Sequence, residues 1–281
     1  MNNFLEDFIK KAVREDIGDG DHTSLACIPT DARGKMQLLV KQKGIIAGVD
    51  IAREILKAFD KNILFTSSIK DGTLVSDGDV VFFVEGKVQT LLQAERLVLN
   101  VMQRMSGIAT ITQDYVKAIE GTHAKILDTR KTTPNMRFLE KEAVKIGGGN
   151  NHRFGLFDMI MIKDNHVDFS GGIEKAVGNV KHYLKKHSKS LKIELEVRDF
   201  LELNEALSLK GIDRLMLDNF SVEDTKKAVR IVDGQLELES SGGITIDTIR
   251  SYAETGVDYI SVGALTHQIK SLDLSLKAID Y

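Results

Sequence analysis

The second half of the chain repeats one unit, and this repeat constrains the fold more than any other feature of the sequence. After Gly121, each repeat has a short apolar run, a polar residue at its end, a loop and an amphipathic segment with helical spacing. Strands joined by helices in this way run parallel, and six or more that close on themselves form a barrel of the TIM type. The predicted strands are Ala124–Leu127, Met159–Ile162, Ile193–Glu196, Arg214–Leu217, Leu236–Leu238 and Tyr259–Val262, with helices such as Val222–Val232 and Ile246–Glu254 between them.

The first part of the chain has a different texture and predicts a mixed α+β unit. Residues 72–88 alternate glycine-containing turns with short β-rich runs, which is typical of a small antiparallel sheet. A long helical stretch from Thr90 to Ile119, interrupted at Ser106-Gly107, is predicted to join this unit to the repeats. Further predicted elements are helices at Asn3–Glu15 and Asp50–Phe59 and strands at Met36–Val40 and Val80–Val84.

Composition excludes several classes of protein. The net charge of −3, from 38 basic and 41 acidic side chains, provides no overall attraction for nucleic acid or anionic membranes. No run approaches the roughly 18 apolar residues of a membrane helix, and residues 1–14 lack the apolar stretch of a secretory signal. The single cysteine, Cys27, excludes an internal disulfide and fits a reducing compartment. We therefore expect a cytoplasmic protein whose mature chain begins near Met1 and which binds neither nucleic acid nor membrane.

Polar and charged residues stand where the predicted strands end. In a parallel barrel these carboxyl ends form one rim, which is where barrel enzymes keep their active sites. One charged strand end is commonly a solvated loop residue, but several in register point to a site. In chain order they are Asp128 with Arg130 and Lys131, Lys163 with Asp164 and Asn165, Glu196, Asp218 with Asn219, Glu239 with Ser240 and Ser241, and Gly263.

Two glycine-bearing turns follow the last two predicted strands. They are Ser241-Gly242-Gly243, which is expected to open a helix, and Gly263-Ala264. Backbone N–H groups at helix N-termini bind phosphate, and the final loops of a barrel are the usual place for this. A Gly-Gly turn alone is more often a simple tight turn, but the position of these two favours a phosphate site.

The rim also carries a basic cluster and two acids. Guanidinium groups grip carboxylates with two hydrogen bonds, whereas lysines suit phosphate oxygens, so the mixture fits a dicarboxylate and a pyrophosphate. Glu196 and Asp218 end adjacent strands and suit Mg²⁺, which takes one or two carboxylates with phosphate and water; they could also stabilise a cationic sugar in the transition state. The cluster comprises Arg130, Lys131, Arg137, His152, Arg153 and Lys163.

These motifs resemble the quinolinate phosphoribosyltransferase family. The resemblance covers nearly the whole chain and implies an N-terminal α+β sandwich domain, residues 1–105 with 268–281 returning to it, and an incomplete TIM-like α/β barrel at residues 106–267. The matching segments are Asp21–Ser24, Glu95-Arg96, Ser106–Thr110, Asp128–Pro134, Gly147–Gly149, Asn151–Arg153, Ile162–His166, Glu196, Met216–Asn219, Glu239–Gly243 and Ser261–His267.

The resemblance implies transfer of phosphoribosyl from phosphoribosyl pyrophosphate to quinolinate, with decarboxylation to nicotinate mononucleotide, a step of NAD biosynthesis. It assigns Arg130, His152 and Arg153 to quinolinate, and Arg96 to quinolinate of a neighbouring subunit. It further assigns Lys131 and Lys163 to the donor and the carboxylates, Glu196 and Asp218 to Mg²⁺ and the ribose hydroxyls, and Ser241, Gly242, Gly263 and Ala264 to the 5-phosphate. The implied assembly is a homodimer with shared active sites, or a hexamer of dimers.

One residue departs from the family motif, and other functions remain open. Asn135 stands where the family mostly has glycine, but asparagine tolerates the same left-handed backbone. The alternatives are a molybdenum-associated paralogue, which lacks a segment like Lys163–His166, a Schiff-base lyase that uses Lys163 as nucleophile, and an inactive binder of nicotinate mononucleotide.

Overall fold

The computed structural model describes residues 3–279 of the 281-residue chain, and their contacts divide them into two units. The first unit comprises residues 3–113, 132–148 and 265–279, and the second comprises 114–131 and 149–264. Residues 132–148, which the sequence assigns to the barrel domain, therefore group with the first unit. The domain boundaries 1–105 and 106–267 stay a prediction, and their ends at 1–2 and 280–281 lie outside the described residues.

The elements up to residue 118 follow the order expected of an α+β unit with a long helix at its end. They are α1 (Asn3–Ile17), α2 (His22–Cys27), β1 (Arg33–Val40), β2 (Gly44–Ile45), α3 (Val49–Phe59), β3 (Leu64–Ser67), β4 (Leu74–Val75), β5 (Val80–Lys87) and α4 (Val88–Ala118).

The remaining elements alternate strand and helix and end in a strand of the first unit. They are β6 (Lys125–Leu127), α5 (Arg137–Ile146), β7 (Ile160–Ile162), α6 (Asp164–Ser170), α7 (Ile173–Lys186), β8 (Ile193–Val197), α8 (Phe200–Ser208), β9 (Arg214–Asp218), α9 (Val222–Val232), β10 (Glu237–Ser241), α10 (Ile249–Ala253), β11 (Tyr259–Ser261), α11 (Ala264–His267) and β12 (Leu274–Ile279).

The first unit contains the predicted antiparallel sheet, with strand order β12-β1-β5-β3. In β1 the residues Met36, Leu38 and Val40 are buried and alternate with more exposed ones, because successive side chains of a strand point to opposite faces. Leu38 pairs with Leu276 on one side and Phe82 on the other, so the C-terminal strand β12 completes this sheet. This strand therefore groups with the first unit.

The predicted helical stretch is one continuous helix, α4, which runs through Ser106 and Gly107, where the apolar spacing is interrupted. A Cβ atom at Gly107 would collide with the carbonyl oxygen of Lys270. The hydroxyl of Ser106 accepts a hydrogen bond from the Ala47 N–H at 2.9 Å. Both small residues therefore allow neighbouring segments to approach the helix closely, a requirement that no local pattern reveals.

The second unit is built on a parallel sheet with strand order β6-β11-β10-β9-β8-β7. Helices α6 to α10 connect successive strands from β7 to β11. Within residues 3–279 the end strands β6 and β7 are not paired with each other, and Leu127 instead forms an isolated parallel bridge with Asn150. This arrangement confirms the predicted incomplete α/β barrel.

The two faces of this sheet have opposite character. One carries apolar side chains such as Leu195, Leu215 and Leu238, all buried. Residues in register with one another share a face, so Glu196, Met216 and Glu239 lie together on the other one. This second face is rich in charge and leads to the rim. Among the described residues, no helix combines the length and apolar character needed to span a bilayer.

Candidate active site

The rim of the second unit holds an ion pair between Lys163 and Glu196. Because Ile162 at the end of β7 is in register with Leu195 of β8, Lys163 comes to lie beside Glu196. The Lys163 Nζ atom is 2.5 Å from Glu196 Oε2, and the side chains are 43% and 7% exposed. A half-exposed ammonium held by a nearly buried carboxylate suits binding of a phosphate or carboxylate that arrives from solvent. A Schiff-base lysine is typically desolvated or lies beside another cation, whereas Lys163 is half-exposed and contacts a carboxylate, so this contact speaks against the lyase alternative.

Asp218 and Ser241 end the next two strands and are in register with each other. Asp218 Oδ2 accepts a hydrogen bond from Asn219 Nδ2 at 2.8 Å, and the Asn219 N–H donates to the Ser241 carbonyl at 2.9 Å. Glu196 is in register with Met216, which places it on the same face as Asp218, one strand away and two residues earlier. The structure thus brings the two predicted acids to one part of the rim.

The Gly242-Gly243 turn requires glycine at its first position and favours it at its second. Their φ angles are 99° and 62°, which side chains disfavour, and a Cβ on Gly242 would also collide with the Asn219 side chain. The expectation that this turn opens a helix is wrong, because α10 begins only at Ile249. Gly263 directly precedes α11, so any phosphate site here would rest on N–H groups of the two loops rather than on a long helix.

The basic residues of the predicted cluster gather around Glu194. Burial lowers the pKa of Arg153, and the charge of nearby Arg130 lowers it further. Burial raises the pKa of Glu194 to about 7, against the opposing charges of Arg214, Arg153 and Lys163. Arg130, Arg153 and Lys163 therefore share one electrostatic environment.

Lys131 and Arg137 differ in their placement. Lys131 follows β6 in an exposed loop, where its N–H donates to Thr129 Oγ1 at 3.1 Å. Arg137 lies on α5 in the first unit, and its Nε donates to Thr132 Oγ1 at 2.9 Å. Arg96 lies on α4, also in the first unit, so its predicted role at a partner's site stays a prediction.

His152 is almost fully buried, with 5% of its side chain exposed. Its N–H donates to Asp128 Oδ1 at 2.8 Å, and its Nδ1 accepts from the Arg153 N–H at 2.6 Å. The Nε2 atom lies 2.9 Å from Glu194 Oε2 and 3.5 Å from Glu239 Oε2. Both ring nitrogens are therefore turned towards groups of the protein.

The sequence-based site omits Glu194 and Arg214 and counts Glu239 only as a strand-end residue of the rim. Arg214 Nη1 is 3.1 Å from Glu239 Oε2, and its guanidinium stacks over the Tyr259 ring at 3.9 Å. The missed signal is the charge at alternate strand positions, as in Ile-Glu-Leu-Glu-Val at β8 and Glu-Leu-Glu-Ser-Ser at β10. Attention to strand ends alone overlooks residues two positions earlier on the same face.

Comparison with known proteins identifies the family. Residues 21–106 match the family description "Quinolinate phosphoribosyl transferase, N-terminal domain", and residues 108–277 match "Quinolinate phosphoribosyl transferase, C-terminal domain". The chain belongs to the quinolinate phosphoribosyltransferase family. The predicted family membership is confirmed, and the two matches meet between residues 106 and 108 within α4.

Relatives within the quinolinate phosphoribosyltransferase family match over nearly the full chain. "Quinolinate phosphoribosyltransferase [decarboxylating] 1b" of Nicotiana tabacum is 43% identical and covers 97% of this chain and 82% of its own. "Probable nicotinate-nucleotide pyrophosphorylase [carboxylating]" of Bacillus subtilis is 41% identical, with 98% and 94% covered. The solved nicotinate-nucleotide pyrophosphorylase of Francisella tularensis is 41% identical with a TM-score of 0.92, covering 99% of this chain and 97% of that one.

The one departure from the quinolinate phosphoribosyltransferase motif is accommodated by the backbone. Asn135, where the family resemblance implies glycine, has a φ of 64° and so adopts the left-handed conformation. Asparagine is among the residues that tolerate it best. The turn after Pro134 therefore keeps its shape, as the sequence predicts.

Proposed function

We propose that this protein transfers phosphoribosyl from phosphoribosyl pyrophosphate to quinolinate with decarboxylation, giving nicotinate mononucleotide, pyrophosphate and CO₂ for NAD biosynthesis. The observation that carries this function is family membership along the whole chain, with relatives named quinolinate phosphoribosyltransferase at 41–43% identity. The grouping of Arg130, Arg153 and Lys163 at the rim supports it, because these charges suit a dicarboxylate and a phosphorylated donor.

Quinolinate would bind through Arg130 and Arg153, with His152, which the family resemblance also assigns to this substrate, directly before Arg153. A guanidinium offers two parallel N–H groups to one carboxylate, so two arginines can hold the two carboxylates of the substrate and orient its ring nitrogen. Partial burial of Arg153, which lowers its pKa by desolvation, strengthens its interaction with an anion that replaces water.

The phosphoribosyl donor would occupy the adjacent part of the rim. Lys131 and Lys163 would contact its pyrophosphate and the substrate carboxylates. Glu196 and Asp218 would bind the ribose hydroxyls, since both acids lie on one face of adjacent strands. The 5-phosphate would rest on the loops after β10 and β11, at Ser241, Gly242, Gly263 and Ala264, where the glycines leave the backbone accessible.

The acids fit a magnesium ion carried in with the donor. Their donor atoms are carboxylate oxygens, and Asp218 is partly exposed and reachable by a hydrated ion. Glu196 keeps one oxygen beyond its contact with Lys163. We propose that Glu196 and Asp218 hold Mg²⁺ directly or through water. Bound there, the ion would neutralise charge on the departing pyrophosphate.

The chain's own residues would act through position and charge. Arg130 and Arg153 direct the pyridine nitrogen at the ribose C1 atom, and its lone pair forms the new C–N bond as the bond to pyrophosphate breaks. Glu196 and Asp218 place negative charge beside the cationic sugar, and Lys131 and Lys163 stabilise the pyrophosphate oxygens. The pyridinium then accepts the electrons of the adjacent C–C bond, CO₂ departs, and the ring carbon takes up a proton.

We further propose that the active form is a homodimer, or a hexamer of dimers, in which Arg96 reaches quinolinate at the partner's site. Arg96 lies on α4 in the first unit, while the rim residues belong to the second. We also propose a cytoplasmic location, which the lone cysteine supports; some plant relatives carry "mitochondrial" or "chloroplastic" in their names.

The test is a direct assay with quinolinate, phosphoribosyl pyrophosphate and Mg²⁺. We expect equal amounts of CO₂, pyrophosphate and nicotinate mononucleotide. Trapping with borohydride in the presence of a carbonyl substrate serves as the control for the lyase alternative, and we expect no labelled Lys163. Absence of nicotinate mononucleotide from active, folded protein would contradict the proposed function.

A further inference from the structure

A buried charged cluster lies inside the sheet of the second unit, below the rim. Glu194 of β8 and Glu239 of β10 are fully buried, and Arg214 lies on the intervening strand β9. The Arg214 Nη1 atom is 3.1 Å from Glu239 Oε2 and 4.0 Å from Glu194 Oε2. One guanidinium thus bridges two carboxylates, and the ring of His152 closes the cluster from the side of the rim.

The contacts of His152 define the state of its ring. Its Nδ1 accepts a hydrogen bond from the Arg153 N–H, so in the neutral ring the proton is on Nε2. Nε2 faces the acids, at 2.9 Å from Glu194 and 3.5 Å from Glu239. With its backbone N–H bound to Asp128, His152 is held by two hydrogen bonds, and its buried Nε2 lies near the two acids at ion-pair distance. Little of the ring is left to meet a substrate.

We infer that Glu194, Arg214 and Glu239 form a positioning network that sets the ring of His152 and, through Nδ1, the backbone at Arg153. His152 then serves quinolinate by orienting Arg153 and not by direct contact. This inference rests on the proposed function and departs from the direct contact that the family resemblance assigns to His152. Glu194, Arg214 and Glu239 are positioning residues, because they act through another side chain.

Energetics supports a role beyond packing. Two buried carboxylates beside one guanidinium are more costly than apolar side chains of the same volume. Burial raises the pKa of Glu239 to about 7, so the charged form of this carboxyl is costly inside the cluster. Replacing one of these acids with glutamine would remove an ionisable carboxyl that faces His152 Nε2 and would leave the volume of the core nearly unchanged.

The same atoms could also be read as a metal site. Ligand atoms of His152, Glu194 and Glu239 all lie within 4.8 Å of one another. Arg214 already supplies positive charge at the Glu239 carboxylate, and this repels a divalent cation. We therefore favour the positioning network and make metal binding an outcome of the test.

The test compares Glu239→Gln with the control Glu254→Gln. Glu254 follows α10, its side chain is 56% exposed, and it pairs with Arg250 at 2.6 Å outside the network. In Glu239→Gln we expect the KM for quinolinate to rise about tenfold, with kcat and the KM for the donor within about twofold of wild type, because a misoriented Arg153 weakens binding. The control should match wild type.

Nitrogen-15 NMR of the histidine side chains gives a readout that needs no substrate. The His152 signal, assigned with His152→Gln, should show the proton on Nε2 in wild type and lose this preference in Glu239→Gln. A proton on Nδ1 in wild type would overturn the proposal, even if Glu239→Gln fails to fold. An unchanged quinolinate KM in folded Glu239→Gln would also overturn it.

Two further outcomes separate the competing explanations. If wild type fails to convert quinolinate, the proposed function is wrong, while the NMR measurement still decides whether the network positions His152. Elemental analysis covers the metal alternative. One equivalent of a divalent metal in wild type that is lost in Glu239→Gln would replace the positioning network with a metal site.

Discussion

Replacing Glu196 with alanine is the perturbation that tests the proposed division of labour at the rim. Glu196 is 7% exposed and its Oε2 atom lies 2.5 Å from Lys163 Nζ. We expect kcat to fall about 100-fold, equivalent to about 2.7 kcal/mol, because a carboxylate that faces the developing cationic sugar is removed. Binding of quinolinate alone should stay within about twofold, since the arginines assigned to it remain.

The same substitution has a second, separable effect on stability. Lys163 is 43% exposed, so solvent screens its charge and the loss of its partner costs less than breaking a fully buried pair. We expect the free energy of unfolding to fall by about 1–2 kcal/mol, between the values for exposed and buried pairs. Folded protein should therefore be available for kinetics.

The assay combines calorimetric titration with quinolinate, steady-state kinetics and thermal unfolding. Glu202→Ala is the control, because Glu202 pairs with exposed Arg198 at 2.5 Å outside the proposed site. It should leave kcat and quinolinate binding unchanged. If Glu196→Ala abolishes quinolinate binding yet turns over normally at saturation, the role assigned to Glu196 is refuted.

Three further predictions follow from the same geometry. Arg130→Lys and Arg153→Lys should each weaken quinolinate binding by about 1.5–3 kcal/mol, measured by calorimetry, because lysine lacks the two-pronged contact; nicotinate reacting as well as quinolinate would contradict this. When the inactive variants Arg96→Ala and Lys163→Ala are expressed together, about a quarter of wild-type activity should return, because half of randomly assorted dimers are mixed and each mixed dimer has one intact site of two. No recovery of activity in mixed dimers, with their presence confirmed by mass spectrometry, would refute the shared site. Burial raises the pKa of Glu239 from 4.5 to about 7, so its stabilising contribution is complete below pH 4.5 and is lost as the pH rises to about 7. Chemical denaturation should therefore show that Glu239→Gln gains stability relative to wild type across that range. Equal pH profiles of the two proteins would exclude the shift.

The alternation of strands and helices after Gly121 is local information, and it determined the parallel barrel and the position of its rim. Every predicted strand of the repeat is present, with bounds that differ by at most a few residues, such as Leu236–Leu238 for Glu237–Ser241. Local spacing suffices here because the same buried strand face and the same polar residues at the strand end recur in each strand–helix repeat. Strand ends such as Lys163 and Glu196 were predictable for the same reason.

The tertiary structure decided what depends on partners distant in sequence. Gly107 within the continuous helix α4 leaves room for the close approach of Lys270, and residues 132–148 group with the first unit although they lie between two barrel strands. The contact of His152 with Glu194 and Glu239 depends on the register of three strands and on a loop before β7. Periodicity shows which face of a strand a residue occupies, but only the packed sheet determines which charges on that face meet.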